Sequence, residues 1–376
     1  MLAVMGVAGF LLATTIIIAG AKYSLDSGLE RLGADLLVVP EGTEVKIESA
    51  LLMGKPVDAW MPRENISKIA VIPGVEAVSP QIYLKSMFNS PCCAVSEMFM
   101  VVYDPETDFT VAPWLEENLG RDLALGEVIG GTYVFVPEGS EYIQLYGYNT
   151  DLVGNLEPTG TGIDQTLFMT LDTALEMARS SVTTAMMPLN VNPDVISVLM
   201  VKTAASADPH QVALQILKDT DGMVPIESPD LFGTFRNQMN GLLWGFFAIT
   251  LIVWAVTMVL IGIVFSMAAN ERRREMAVLR AVGATRGFIF RSVLTEAALI
   301  ALSGSTIGIA LAALSLYTFK DFIAGSLKMP FLFPSFSSFA VLFSAGIGLA
   351  IISVAVSALI PALRLSKQEL AIAMRE

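Results

Sequence analysis

A chain of 376 residues with 54% hydrophobic and only 16% charged side chains falls outside the range of ordinary soluble domains. Its net charge of −13 argues against nucleic-acid binding, which needs a positive face, and a single histidine leaves zinc-site and Ser-His hydrolase chemistry almost no ligands or bases. No GxxxxGK[ST] run occurs, so the sequence offers no Walker loop for ATP.

Residues 1–21 carry no Asp, Glu, Lys or Arg, which predicts a first membrane-spanning helix, since a span needs roughly 20 apolar residues. Ala19-Gly20-Ala21 has the look of a signal-peptidase site, but there is no positive segment before it and the run exceeds a usual signal core, so a membrane anchor is expected. Residues 22–240 are polar and too long for a loop. They hold 12 Lys and Arg against 30 Asp and Glu, a balance of −18 that leaves +5 for the rest of the chain.

Within this block, 34–40 reads as a strand and 62–71 as a helix with Pro62 in its first turn and Ile66, Ile69 and Ala70 on one side. Pro73-Gly74 ends that helix and 75–88 resumes in extended form. Strands are predicted at 132–136, 167–171 and 196–202. The clearest helix is 209–219, with Asp208 as cap, Pro209 at its first position, Val212, Ala213, Ile216 and Leu217 as an apolar stripe and Gly222 as stop. Residues 89–160 resist assignment. The spacing suggests an α+β domain, in one arrangement two small lobes.

Cys92 and Cys93 stand among Met87, Met98 and Met100. Such concentrated sulfur could hold a thiophilic metal or contact haem, and an oxidised vicinal pair or two buried thiols would equally explain it. Asp104, Glu106 and Asp108 alternate like a calcium loop, but Phe109 and Leu115 stand where glycine and glutamate are needed, so an acidic turn is expected. His210 reads as a solvated residue in a first helical turn.

Three further charge-free runs, 241–269, 297–319 and 329–363, predict three more spans. The run at 241–269 would measure about 43 Å as a helix, longer than the hydrocarbon core, and is expected to project as a stalk. Residues 271–291 hold six arginines against Glu271 and Glu275, and the tail adds Arg364, Lys367 and Arg375. Positive flanking loops mark the cytoplasmic side. The expected layout is therefore a membrane protein with four transmembrane α-helices (1–21, 241–269, 292–319, 333–363) and a large α+β extracytoplasmic domain (22–240) between the first and second. The loop 270–291 and the tail 364–376 lie inside, 320–332 lies outside, and both termini are cytoplasmic. Glu296 falls early in the third span, with Arg291 or Arg286 as expected partners or the helix dipole as its support. Gly304, Gly308, Gly346 and Gly348 are expected to pack helices.

The loop reads Asn270-Glu271-Arg272-Arg273-Arg274-Glu275-Met276-Ala277-Val278-Leu279-Arg280-Ala281-Val282-Gly283-Ala284-Thr285-Arg286. It resembles the signature of the FtsX-like (MacB-type) ABC transporter permeases at Arg272, Glu275, Met276, Val278, Leu279, Arg280, Ala281, Gly283, Ala284, Thr285 and Arg286. The resemblance continues in Glu296, Gly304 and Gly308 and in Pro361-Ala362-Leu363-Arg364-Leu365-Ser366. In the outer block it touches Gly74-Val75, Thr159-Gly160 and Asp208-Pro209. Relatives of that kind open with a basic amphipathic helix ahead of the first span, whereas this sequence starts inside the span.

That resemblance implies a permease subunit of the cell (inner) membrane, with no catalytic residue and no cofactor of its own. Its partners would be a separate ABC ATPase that holds ATP and Mg, a second permease copy or paralogue, the lipid bilayer and an extracytoplasmic protein. Glu275, Met276, Leu279, Arg280, Gly283, Ala284 and Arg286 would form the coupling segment. Met276, Leu279 and Gly283 give a narrow apolar edge between guanidinium groups suited to carboxylates. The implied output is export or extraction of a lipoprotein, peptide, drug or haem. The alternatives are activation of an envelope partner without transport, and metal or haem traffic through the Cys-Met cluster.

Overall fold

The computed structural model describes residues 2–85, 98–137, 139–185, 187–322 and 331–367. The chain divides into two compact units, one of residues 21–238 with 321–332 and one of 1–20, 239–320 and 333–376.

In chain order the elements are α1 (Leu2–Leu32), β1 (Leu36–Pro40), α2 (Glu44–Met53), β2 (Met61–Pro62), α3 (Asn65–Ala70) and β3 (Val75–Lys85). Next come β4 (Phe99–Tyr103), α4 (Ala112–Asn118), β5 (Glu127–Gly130), β6 (Ile143–Leu145), β7 (Tyr148–Asn155) and β8 (Thr166–Thr170). They are followed by α5 (Leu171–Thr184), β9 (Val195–Ile196), β10 (Val198–Thr203), α6 (Pro209–Asp219) and β11 (Met223–Glu227). The chain closes with α7 (Gly233–Glu271), α8 (Arg273–Ala281), α9 (Arg286–Asp321) and α10 (Phe336–Lys367).

The first unit is one nine-stranded sheet, in the order β11-β1-β10-β3-β4-β8-β5-β7-β6, with β2 and β9 paired beside it. It is a mixed sheet: β4 with β8 and β5 with β7 run parallel, the other neighbours antiparallel. Its central strands are buried on both faces. Leu37 and Val39 of β1, Val198 and Met200 of β10 and Phe99 and Val101 of β4 meet α2, α4 and the end of α1. Leu36 and Val38, Leu199 and Val201, and Met100 and Val102 meet α3, α5 and α6 on the other side. Covering both faces demands apolar residues at every strand position, which is why these strands read as continuous runs rather than alternating ones. A single three-layer body replaces the two lobes.

Several expectations shift in detail. Pro62 lies in β2, not in a helix: Arg63 N–H donates to Asp194 O at 2.8 Å and the helix starts only at Asn65. Residues 132–133 form a turn and 134–136 follow without regular structure, so no strand forms here. Tyr133 N–H goes to the distant Asp164 O and Val134 N–H turns back to Gly131 O, so these amides are not offered to a ladder. The part of 75–88 beyond Lys85 lies outside the described residues. Gly74 adopts φ +95°, where a Cβ would sit 2.9 Å from Val212 Cγ2.

Helix α6 forms as read, with the Asp208 carboxylate accepting from His210 N–H at 3.1 Å and Val212, Ala213 and Ile216 buried, although Leu217 is exposed. The acidic turn also forms: Asp104 pairs with Arg63 at 2.9 Å, and Asp108 Oδ2 accepts from Val111 and Ala112 N–H at the start of α4. Buried Asp164 pins a loop by accepting from Thr159 N–H and Oγ1–H and from Gly160 N–H, at 2.8, 2.8 and 2.6 Å. Burial raises its pKa against those bonds.

Among the described residues four helices, α1, α7, α9 and α10, are long and apolar enough to cross a membrane. Their helical ends run past the charge-free stretches. Helix α1 continues to Leu32, where Leu25 and Leu32 bury into the sheet unit, and α7 begins at Gly233. Charge marks where a span can lie, not where backbone hydrogen bonding stops. In the helical unit, Val4, Ile261, Ala297, Ala301, Val354 and Ala358 form a core, and Trp254 Nε1–H donates to Ser353 Oγ at 3.0 Å. Gly9 and Gly308 let α1 and α9 meet backbone to backbone; a Cβ on Gly9 would lie 2.8 Å from Gly308 O. Gly304 is buried, Gly346 lies against Ile309, and nothing comes within 4 Å of a Cβ on Gly348.

His210 Nδ1 lies 2.7 Å from Glu227 Oε1, so the surface histidine is paired, and that hydrogen bond and charge hold its pKa above the ordinary 6.5. A raised folded value adds stability that is fully present below about pH 6.5 and is lost as pH climbs through the folded value. As the chain's one histidine, it gives a single imidazole signal by NMR; that signal should titrate above 6.5 and fall back toward it in Glu227→Gln. Gly308→Val should destabilise the helical unit by about 1–3 kcal/mol or more, because the added carbons meet the Met5 backbone, and thermal unfolding in detergent reads this.

Candidate functional site

The candidate site is the short helix α8 and its two junctions. Arg272 is the one residue between α7 and α8, with φ −89° and ψ 12°. Backbone bonding passes through it, from Arg272 N–H to Ala268 O and from Met276 N–H to Arg272 O, both at 3.1 Å. Glu275 in the first turn and Arg280 in the last turn of α8 match the helix dipole.

The end of α8 accounts for the order of the residues that follow it. Ala284 N–H donates to Leu279 O at 3.0 Å and Gly283 N–H to Arg280 O at 3.1 Å, the paired bonds of a Schellman stop. Gly283 has φ +111°, which a residue with a Cβ adopts only under strain. Two residues on, Thr285 Oγ1 accepts from Phe288 N–H at 3.2 Å, capping α9 at its first turn. Gly-Ala-Thr is thus one stop and one start, and Gly283 makes the sharp turn into the next helix that its place in the sequence predicts.

The apolar edge differs from the one expected from the sequence. Met276 turns inward against Ile289, Val293 and Ala362, and Ala277 is buried. Leu279 is 44% exposed as expected, but its neighbours on the surface are Val278 at 57% and Val282 at 84%. Glu275 and Arg286 are exposed, and Ala284 is partly covered. The free edge is therefore Val278, Leu279 and Val282, on a helix that carries Arg273, Arg274 and Arg280.

Glu296 pairs with neither Arg291 nor Arg286. Arg272 Nη1 lies 2.9 Å from its Oε1 and 3.0 Å from its Oε2. The sequence spacing of 24 residues hid this because the turn at Gly283 folds α9 back beside the end of α7. Of the sulfur cluster, Cys92, Cys93 and Met87 lie outside the described residues, while Met98 and Met100 are buried in the sheet core. Among the described residues no group of three or more His, Cys, Asp or Glu is placed to hold a metal.

Residues 247–370, which contain this whole arrangement, match the family described as FtsX-like permease C-terminal. The chain carries an FtsX-like permease domain. A curated relative, the macrolide export ATP-binding/permease protein MacB of Bdellovibrio bacteriovorus, is 27% identical over 319 residues. The match covers 78% of this chain and 47% of that protein, so the chain spans about half the length of the curated relative it matches. Solved structures that the chain matches include the periplasmic region of MacB from Actinobacillus actinomycetemcomitans, with TM-score 0.34 and 10% identity over 56% of this chain and 96% of that one. Another is the extracellular domain of the noncanonic ABC-type transporter YknZ from Gram-positive bacteria, with TM-score 0.29 and 12% identity over 52% and 99%.

Within the FtsX-like domain, Gly283→Ala should cost about 1–2 kcal/mol by forcing a Cβ into positive φ, and Thr285→Ala about 1 kcal/mol by removing the cap. Chemical denaturation of the purified chain in detergent checks both.

Proposed function

We propose that this chain is the permease subunit of an ABC transporter complex and works with a separate ATPase that binds ATP and Mg. The observation that carries the reading is the exposed edge Val278-Leu279-Val282 on an arginine-rich helix inside the FtsX-like domain. An apolar edge of this kind is suited to burial against another protein, and the guanidinium groups around it favour a partner surface with carboxylates. In this reading Glu275, Leu279, Arg280 and Arg286 face the ATPase, while Met276, Gly283 and Ala284 shape the segment that carries them.

The orientation follows the arginines: α8 and the tail inside, the acidic sheet unit outside, in the cell membrane, with a second permease copy or paralogue completing the complex. Helix α7 is one uninterrupted helix of 39 residues, about 58 Å long, with residues in both units. It is the route by which nucleotide-driven movement of α8 reaches the sheet unit, a two-state switch of helix packing. The output is mechanical work on a substrate outside the membrane, its export or extraction.

Purification of the chain with an ATPase encoded beside it decides the reading. The expected result is stable co-purification and ATP hydrolysis that Leu279→Asp abolishes, with the permease still folded. A well-folded chain that retains no ATPase would remove the transporter reading and leave the sheet unit as a membrane-anchored receptor.

A further inference from the structure

We propose that the Arg272–Glu296 ion pair is the clamp that makes α8 move with α9, so that displacement of α8 is delivered into the third apolar helix and not along α7 alone. The inference rests on the reading above, in which α8 receives the ATPase, and it adds a positioning role for two residues that never touch that partner.

Three observations carry it. Arg272 occupies the flex point between α7 and α8: its dihedrals leave the helix while hydrogen bonds on both sides continue through it, so a small torsion there would let α8 swing. Glu296 stands ten residues into α9, beside the stripe Ile289, Val293 and Ala297 that is buried against neighbouring helices. Met276 of α8 packs on Ile289 and Val293. Apolar packing and the ion pair thus form two attachments a few residues apart on α9, and two attachments fix an angle where one leaves a pivot.

The second attachment sets direction more than it adds strength, since Arg272 and Glu296 are about half exposed, at 50% and 46%. A cavity of about 180 Å³ adjoins the pair, walled by Leu260, Val264, Phe265, Val293 and Ile300. A carboxylate beside that apolar wall is costly without its partner. Both oxygens of Glu296 share one guanidinium nitrogen, so a neutral glutamine there would lose the ion pair and keep at most one uncharged hydrogen bond. The charge-free run of α9 begins at Ala297, immediately after this residue. Glu296 is therefore the last charged group on the path into the span.

The test uses the full chain with its ATPase in lipid nanodiscs, comparing Arg272→Gln, Glu296→Gln, the exchange Arg272→Glu/Glu296→Arg and the conservative Glu296→Asp. Three quantities are read: ATPase retained, hydrolysis by the complex relative to the free ATPase, and the thermal unfolding midpoint. The clamp predicts that both glutamine variants retain the ATPase, keep the KM for ATP and lose at least tenfold in stimulated kcat. The exchange should restore most of that loss, and Glu296→Asp should fall between. Glutamine variants that hydrolyse ATP like the unaltered complex would overturn the clamp while leaving the docking reading intact. So would a loss that the exchange fails to rescue and that follows the unfolding midpoint, since a brace for stability alone predicts that. Failure of the unaltered chain to retain an ATPase would overturn both.

Discussion

Backbone polar groups inside hydrocarbon must find their partners within the same segment, and this constraint organises the chain. It forces the apolar residues into four long helices and drives every irregular piece of backbone to their ends. The Schellman stop at Gly283 and the cap at Thr285 occupy such an end, where unpaired amides and carbonyls are permitted provided local chemistry satisfies them. The arginines gather there for a related reason, since charge avoids the spans on either side. Helix break, exposed apolar edge and ion pair thus share one location because the membrane leaves no other place for them.

The sheet unit answers a different demand. Nine strands with both central faces buried need helices on each side, and α2, α4 and the end of α1 cover one face while α3, α5 and α6 cover the other. The unit can therefore carry a strongly acidic surface without weakening its core: its ion pairs lie at turns and strand ends, as in the Arg121–Glu127 and Arg63–Asp104 pairs. Surface pairs of this kind contribute little to stability individually. The apolar strands supply the cohesion.

Much of this could be read from residues alone, for identifiable reasons. Charge-free runs locate spans well because the cost of a charge in lipid is large, and helix α6 announced itself through a cap, a proline and a stripe that agree with one another. The family motif was legible because its residues are contiguous. What stayed hidden depends on contacts between distant segments. Residues 132–136 have strand-forming composition, but the distant Asp164 takes the Tyr133 amide. Pro62 looks like a helix start until Asp194 claims the next N–H. The partner of Glu296 could not be found by proximity in sequence, because the turn at Gly283 reverses the chain between them. The inward rotation of Met276 likewise depends on Ile289 and Val293, which no helical wheel of α8 alone contains.

Strand β1 has a consequence for how the protein is made. Its partners are β10 and β11, with Leu36 opposite Val201 and Glu227, so the second strand of this ladder is translated more than 160 residues after the first. At ribosomal rates of about 5–20 residues per second, the run Leu36–Pro40 waits on the order of ten seconds or more for a neighbour. Throughout that interval the nascent chain displays an unpaired hydrophobic edge beside an already apolar α1, the kind of intermediate that aggregates or recruits chaperones. The sheet itself is therefore closed by its last strand, which ends a few residues before α7, so completion of the sheet and delivery of the second apolar helix are consecutive events in synthesis, while residues 321–332 of the same unit arrive only later.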